Sequence, residues 1–478
     1  MATATKRVVI EPVTRVEGHG KVTILLDEQN QVTQSRFHVV EFRGFERFIQ
    51  GRPYWEVPVL VQRLCGICPV SHHLAAAKAM DIIVGGENLT PTAEKIRRLM
   101  HYGQFFQSHA LHFFHLCSPD LLFGFGAPVE KRHVFAVAAE YPELAVQGVM
   151  MRKYGQEIIK ATAGKKIHGT GAIPGGVNKS LTVAERDTFL KDIDQMLEWS
   201  RGTLKIAKDY TVEHLAEVAS FGSFDSNHLS LVRADGAMDL YHGDLHAVNA
   251  EGSVILGHVD YQDYVEHIAE EVRPWSYMKF PFIRSLGPEN GWYRVGPLAR
   301  LNTCSFIDTP EAEAAFKEFK AVTDGKPNNI TMAYHWARII ELLHSIEKIK
   351  ELLDDPDILG DDLVVKGERR DEAVGLIEAP RGTLFHHYRI NDDDQIVMAN
   401  LIVSTTHNNV PMNLAVEGVA KSHLAGQTEI TDGLLNHIEV AIRAYDPCLS
   451  CATHAMGKMP LEIELLDAEG NVVDRKRK

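Results

Sequence analysis

Apolar and polar positions alternate along residues 7–46, the two-residue period of half-buried strands. Within that stretch KVTILLDEQNQVTQSRFHVVEF reads as two strands around a polar turn at Asp27–Gln31. Over residues 58–120 the period lengthens to that of a helix. Thr90 before Pro91 marks a helix start, with the hydroxyl as N-cap and the proline in the first turn. Thr182 and Glu185 form a capping-box pattern ahead of another long helical stretch. DTPEAEAAFKEFKAVTDGK starts in the same way at Thr309–Pro310 and stops near Gly325, and ITMAYHWARIIELLHSIEKIKELL repeats apolar residues at helical spacing. TLFHHYRINDDDQIVMANLIVSTT returns to strand with a turn at Asn391–Asp394, and PLEIELLDAEGNVVDRKRK reads as a closing hairpin.

Strands therefore gather near both ends, with helices between, and no repeat or low-complexity linker interrupts the run. The expected class is α+β, a mostly helical large core with small β-sheets formed near the N- and C-terminal regions. One large unit is expected, with a β-rich part over 1–60, a mainly helical core over 61–380, strands and a metal-binding motif over 381–454, and an extension over 455–478. This arrangement brings the two ends together.

Composition narrows the function. The chain has 478 residues, 45% of them hydrophobic, enough for a large buried core. Its 64 acidic against 50 basic side chains give a net charge of −14, a sign that repels nucleic acid. No apolar run reaches the roughly 18 residues of a membrane span, and MATATKRVVIEPV holds no signal-peptide core, so a reducing, cytoplasmic setting is expected.

In that setting CxxC pairs point to metal or redox chemistry rather than disulfides. Four of the six cysteines form such pairs, Cys65 and Cys68 in RLCGICPVSHH and Cys448 and Cys451 in DPCLSCATH. If the ends meet, the pairs meet around a metal. Four thiolates suit a structural zinc site, but zinc pairs ordinarily sit on neighbouring knuckles of a small module, and a core of this size needs no such staple. A histidine follows each pair at short range, His72 and His73 after the first and His454 after the second. Glu17 and His19 share a glycine-flanked turn in TRVEGHG, and Glu378 and Arg381 sit beside Pro380 in IEAPRGTLFHH. HGTGAIPGGVN resembles a dinucleotide loop until Pro174 takes the third glycine's place, so nucleotide binding is not expected. His109, His112 and His115 share a helical face and read as packing residues.

Taken in order, RVEGHG, RGFE, RLCGICPVSHH, APRG and DPCLSCATH resemble the large, catalytic subunit of nickel-iron hydrogenases, and the wording around them looks most like the cytoplasmic, bidirectional, NAD-reducing class. The related quinone-reductase subunits of respiratory complex I lack the four cysteines. The resemblance implies that all four thiolates bind nickel, with Cys68 and Cys451 bridging to an iron that carries cyanide and carbon monoxide. It implies that His72 lies beside a bridging thiolate, that Arg381 lies over the open coordination position, that Asp446 orients Arg381, and that Thr405 hydrogen-bonds a cyanide. Glu46, the carbonyl of Leu401 and His454 match a separate magnesium site. A specific peptidase would cut after His454, removing residues 455–478.

The implied reaction is reversible heterolytic cleavage of dihydrogen. Cys448 is the expected first base and Glu17 the relay outward, with Arg381 the competing base. Only Cys117 and Cys304 remain, too few for a four-ligand iron–sulfur cluster. Electrons must leave through a small partner subunit carrying clusters and, in the NAD-reducing class, pass to a flavin- and NAD-binding diaphorase module. Two other readings stay open on the residues: a zinc scaffold with four cysteine ligands, and a redox-inactive relative in an ion-pumping complex.

Overall fold

The computed structural model describes residues 6–427, 429–454, 462–466 and 472–477. The N-terminal alternation forms a three-stranded antiparallel sheet of β1 (Lys6–Ile10), β2 (Gly20–Leu26) and β3 (Val32–Val39). The burial of β2 alternates residue by residue, with Val22, Ile24 and Leu26 inward. Asp27 makes the predicted turn by accepting the backbone N–H groups of Gln29 and Gln31.

The helical scaffold follows in α1 (Pro69–Ile83), α2 (Pro91–Leu111), α3 (Pro142–Ala163), α4 (Val183–Glu213) and α5 (Ala333–Asp354). The Thr90 hydroxyl caps α2 by accepting the Ala93 N–H at 3.1 Å, and Thr182 with Glu185 closes a full capping box on α4. Thr309 departs from this pattern. A helix does start at Pro310, but the Thr309 hydroxyl turns into the core and meets His344 Nδ1 at 2.9 Å. α2 packs on α3 and α5, and α5 on α4, around a core containing Phe105, Phe106, Ile158, Trp336 and Ile340.

The middle of the chain corrects the expectation that strands lie only near the ends. β4 (Asn227–Val232), β5 (Asp244–Val248), β6 (Val254–Val259) and β7 (Tyr293–Arg294) form a four-stranded sheet in the order β7-β4-β5-β6. β4 is buried at all but its first residue, so it lacks the alternation that would mark it in sequence. Closer to the C-terminus, β8 (Glu372–Ala379), β9 (Gly382–Ile390) and β10 (Ile396–Ile402) form an antiparallel sheet whose middle strand is β9. The β9–β10 turn is at Asn391, whose side chain accepts two backbone N–H groups. Helices α6 (Asn409–His423) and α7 (Asp432–Ala444) lead to the second cysteine pair, and β11 (Glu462–Leu466) pairs with β12 (Val472–Arg477) as a hairpin. About half the chain is helical among several small sheets, an α+β fold. Among the described residues no helix is long and apolar enough to cross a membrane.

Candidate metal centre

Cys65 and Cys68 lie on the turn entering α1, with Cys68 as its N-cap and Pro69 at its first position. The backbone N–H groups of Ile67 and Cys68 both point at Cys65 Sγ, each at 3.2 Å. Cys448 and Cys451 lie on a short turn after α7. The fold brings the two pairs together across 383 residues, with Cys65 Sγ 3.3 Å from Cys448 Sγ and Cys68 Sγ 3.9 Å from both Cys448 Sγ and Cys451 Sγ. All four sulfur atoms lie within 4.8 Å of one another, buried and without a disulfide.

Tight anchors hold the N-terminal turn on the second pair. Glu17 bridges to Cys448 through the backbone, and Leu449 N–H donates to the Glu17 carbonyl at 2.9 Å. Gly18 permits this approach: its φ is +81°, and a Cβ there would meet the Ser450 nitrogen at 2.7 Å. As a result the Glu17 carboxylate lies 3.1 Å from Cys448 Sγ and accepts the Ser450 N–H at 3.1 Å. His19 faces solvent instead, paired with Glu41.

Arg381 closes the other side from the β8–β9 turn. Its Nε donates to the Asp446 carbonyl at 2.6 Å and its Nη2 to the Asp446 carboxylate at 3.0 Å, while Nη1 lies 3.5 Å from the Ser108 hydroxyl. Burial works against the guanidinium charge, but the Asp446 carboxylate and the neighbouring thiolates outweigh it and hold the group protonated. Thr405 accepts the Cys448 N–H at 2.8 Å, which leaves its hydroxyl proton free to donate. Cys68, His72, Arg381, Thr405 and Cys448 border one cavity of about 10 Å³, room for a single small molecule.

Thiol acidity divides within the cluster. Burial alone would raise Cys65, but hydrogen bonds from the neighbouring thiols and the charge of Arg381 hold it well below the ordinary thiol range. Burial pushes Cys448 and Cys451 well above that range. Four buried sulfurs with backbone donors and an arginine beside them form a soft, anionic donor set that fits a thiophilic metal such as nickel.

Of the residues expected to hold magnesium, Glu46 and Leu401 come together. Glu46 Oε1 accepts the Leu401 N–H at 2.9 Å and the Lys279 ammonium at 3.2 Å. Lys279 also reaches Glu270 at 3.4 Å and Asn400 at 3.0 Å. His454 is buried, neither ring nitrogen has a hydrogen-bond partner among the described residues, and burial with the Lys279 charge holds it neutral, its pKa lowered to about 3. A neutral imidazole keeps one ring lone pair free, a donor type that fits a cation.

Other expected residues fall outside the centre. Glu378 pairs with Arg300 at 2.6 Å rather than with Arg381. His73 packs between the Pro58 carbonyl and the Ala172 N–H. His109 pairs with Glu341 and His112 with the Arg443 carbonyl, both as packing groups. The glycine-rich stretch set aside as a nucleotide loop supports Cys65: His168 Nε2 lies 3.0 Å from the Cys65 carbonyl. The sequence reading missed Lys279, Glu270 and Ser108, which carry no local spacing that would single them out, and passed over Ser450 and His386 inside motifs it quoted.

The chain matches the HoxL-like family model over residues 7–42 and the nickel-dependent hydrogenase model over 43–123 and 256–454. It is 48% identical to the NAD-reducing hydrogenase HoxS subunit beta of Cupriavidus necator, over 99% of each chain. It superposes on a crystal structure of an NAD+-reducing [NiFe]-hydrogenase in the H2-reduced state with a TM-score of 0.93 and 56% identity, covering 94% of this chain and 100% of that one. A Ni-Fe-Se hydrogenase from Desulfovibrio vulgaris Hildenborough shares the fold at a TM-score of 0.76 and 21% identity, over 94% of this chain and 100% of that one. A four-thiolate zinc scaffold is therefore not favoured, and the chain belongs to the nickel-dependent hydrogenase family as a large, catalytic subunit.

Proposed function

We propose that this catalytic subunit works in a cytoplasmic, NAD-reducing complex, in which Cys65, Cys68, Cys448 and Cys451 would hold a nickel-iron group carrying cyanide and carbon monoxide. When bound, the bimetallic group supplies the Lewis acid that polarises dihydrogen and takes up its electron pair. The observation that carries the reading is the 3.1 Å contact of Glu17 with Cys448 Sγ inside the thiolate cluster. Cys448 takes the proton and Glu17 carries it outward. Arg381, held charged by Asp446, is a fixed cation over the cavity and not the first base. Thr405 would donate to a cyanide, and Glu46, the Leu401 carbonyl and His454 would hold magnesium.

Of the remaining cysteines, Cys304 joins no group of potential metal ligands among the described residues and Cys117 joins only His112 and His335. Neither supplies a four-ligand iron–sulfur cluster. Electrons therefore pass to a small subunit with such clusters and on to a flavin and NAD module. Residues 455–478 are removed by a maturation endopeptidase once nickel is in place; active native protein whose intact mass includes Lys478 would refute that step.

Glu17→Gln tests the central step. Nickel and iron should be retained in equal amounts, with little zinc, while dihydrogen oxidation falls about a hundredfold or more. A Glu17→Gln enzyme with undiminished turnover would overturn the relay.

A further inference from the structure

Lys78 lies in the third turn of α1 and borders a second cavity, apart from the one beside the cysteines. Only 8% of the residue is exposed. Its Nζ donates to the Tyr241 carbonyl at 2.6 Å and to the Leu376 carbonyl of β8 at 2.8 Å. The ring centroids of Tyr241 and Tyr261 stand 5.1 and 5.0 Å from the same nitrogen. The cavity has a volume of about 220 Å³, and both tyrosines, Asp81, Glu94 and His242 share its wall with Lys78. Glu87, Asn88 and His242 on its rim are exposed, so the cavity reaches solvent.

A buried lysine ordinarily pairs with an acid. Lys78 does not, although three acids line its cavity. Asp81 pairs with Arg97, Glu94 with His242 and Arg98, and Glu87 with Arg370. Among the described residues the two carbonyls are the only hydrogen-bond partners of Lys78. An ammonium has three N–H donors and would leave one without an acceptor. A neutral amine has two N–H groups and one lone pair, so it matches the two carbonyls and keeps the lone pair free. Burial favours that neutral form. It outweighs the pull of Glu94, Asp239 and Asp81, and with the Arg98 charge it brings the amine down to about 8. At pH 7 about one-tenth of Lys78 then carries a lone pair, against roughly one in three thousand of an ordinary lysine.

The acids on the wall repel an anion, and the volume admits only a small molecule. We propose that Lys78 is a nucleophile that captures a small, uncharged aldehyde in this cavity as a Schiff base. The Nζ lone pair forms a bond to the carbonyl carbon while the carbonyl π pair moves to oxygen. A proton passes from Nζ to that oxygen and gives the carbinolamine. The hydrogen-bonded Glu94–His242 pair on the wall supplies a second proton, the oxygen leaves as water, and the C=N bond forms. The two tyrosine faces suit the iminium cation, which returns the borrowed proton as it becomes the neutral imine. Amine and aldehyde thus give imine and water with no oxidant, and water reverses the reaction. The inference goes beyond the metal-centre reading and does not depend on it.

The test treats the intact complex with limiting acetaldehyde and sodium cyanoborohydride, which fixes each imine as an N-ethyl amine, and compares lysines by peptide mass spectrometry. At pH 7 Lys78 should be modified about tenfold or more faster than the exposed Lys205 and Lys317. That lead should vanish by about pH 11, where ordinary lysines are neutral too. Asn88→Trp narrows the mouth of the cavity without touching the amine. It should slow Lys78 about tenfold and leave Lys205 unchanged. Modification of Lys78 no faster than of Lys205 at pH 7, a lead that persists at pH 11, or a rate indifferent to Asn88→Trp would overturn the proposal.

Discussion

Glu378 and Arg381 stand on the same β-hairpin, and the fold gives them unrelated partners. Arg381 turns to Asp446 above the cysteines, while Glu378 turns to Arg300, which also grips Glu341 at 2.6 and 2.7 Å. At the centre, Arg381→Lys keeps the charge but loses the two-pronged hold on Asp446. Dihydrogen oxidation should drop about a hundredfold through misplacement alone, with metal content retained. Away from it, burial opposes the Glu341 charge, but the Arg300 guanidinium outweighs that and holds the carboxyl at about 2, against an ordinary 4.5. Because folding lowers this pKa, its contribution of about 3 kcal/mol is fully present above the unfolded value and fades as pH falls toward the folded one. Denaturant titrations between about pH 5 and pH 2 should show the unmutated chain losing stability more steeply than Glu341→Gln. The sequence marked Arg381 through its motif. It could not mark the Arg300 ion pairs, because Arg300, Glu341 and Glu378 come from three separated elements.

Between elements, the approach of α1 to β8 sets where the first cysteine pair lies. Gly375 on β8 makes that approach possible: a Cβ there would stand 2.0 Å from the Ala75 carbonyl oxygen and 2.7 Å from the Ala79 nitrogen, both backbone atoms of α1. Gly375→Ala should therefore push α1 away and carry Cys68 and His72 with it. Nickel per chain should fall sharply, and Tm with it, when both are measured on the same preparation. Thr182→Ala makes the control. It removes the capping box of α4, far from the cysteines in the packing order, and should cost about 1 kcal/mol with nickel content unchanged. Helix starts at Thr90 and Thr182 were legible because a cap is a local bargain between one side chain and the next turn. The sheet of β4 to β7 was not, because its central strand is buried on both faces and shows no period.

For the whole molecule, the metal centre is where the chain closes on itself. The N-terminal turn, α1, the β8–β9 turn and the stretch after α7 each supply part of it, and bound metal would tie them to one another. Removing the metal by chelation under reducing conditions should lower Tm, and all six buried thiols should titrate only once the chelated chain is unfolded. The amino-acid sequence by itself determined the four clustered cysteines, their spacing and the family, since each motif is a short run whose chemistry is fixed by its own residues. It also determined the strands and helices that carry a local period or cap. Only the tertiary structure decided that Glu17 reaches Cys448, that Lys279 and Glu270 stand beside Glu46, and that Lys78 meets Tyr241 and Tyr261. Those contacts join residues tens to hundreds of positions apart, and a pattern along one dimension holds no trace of which buried side chains will share a wall.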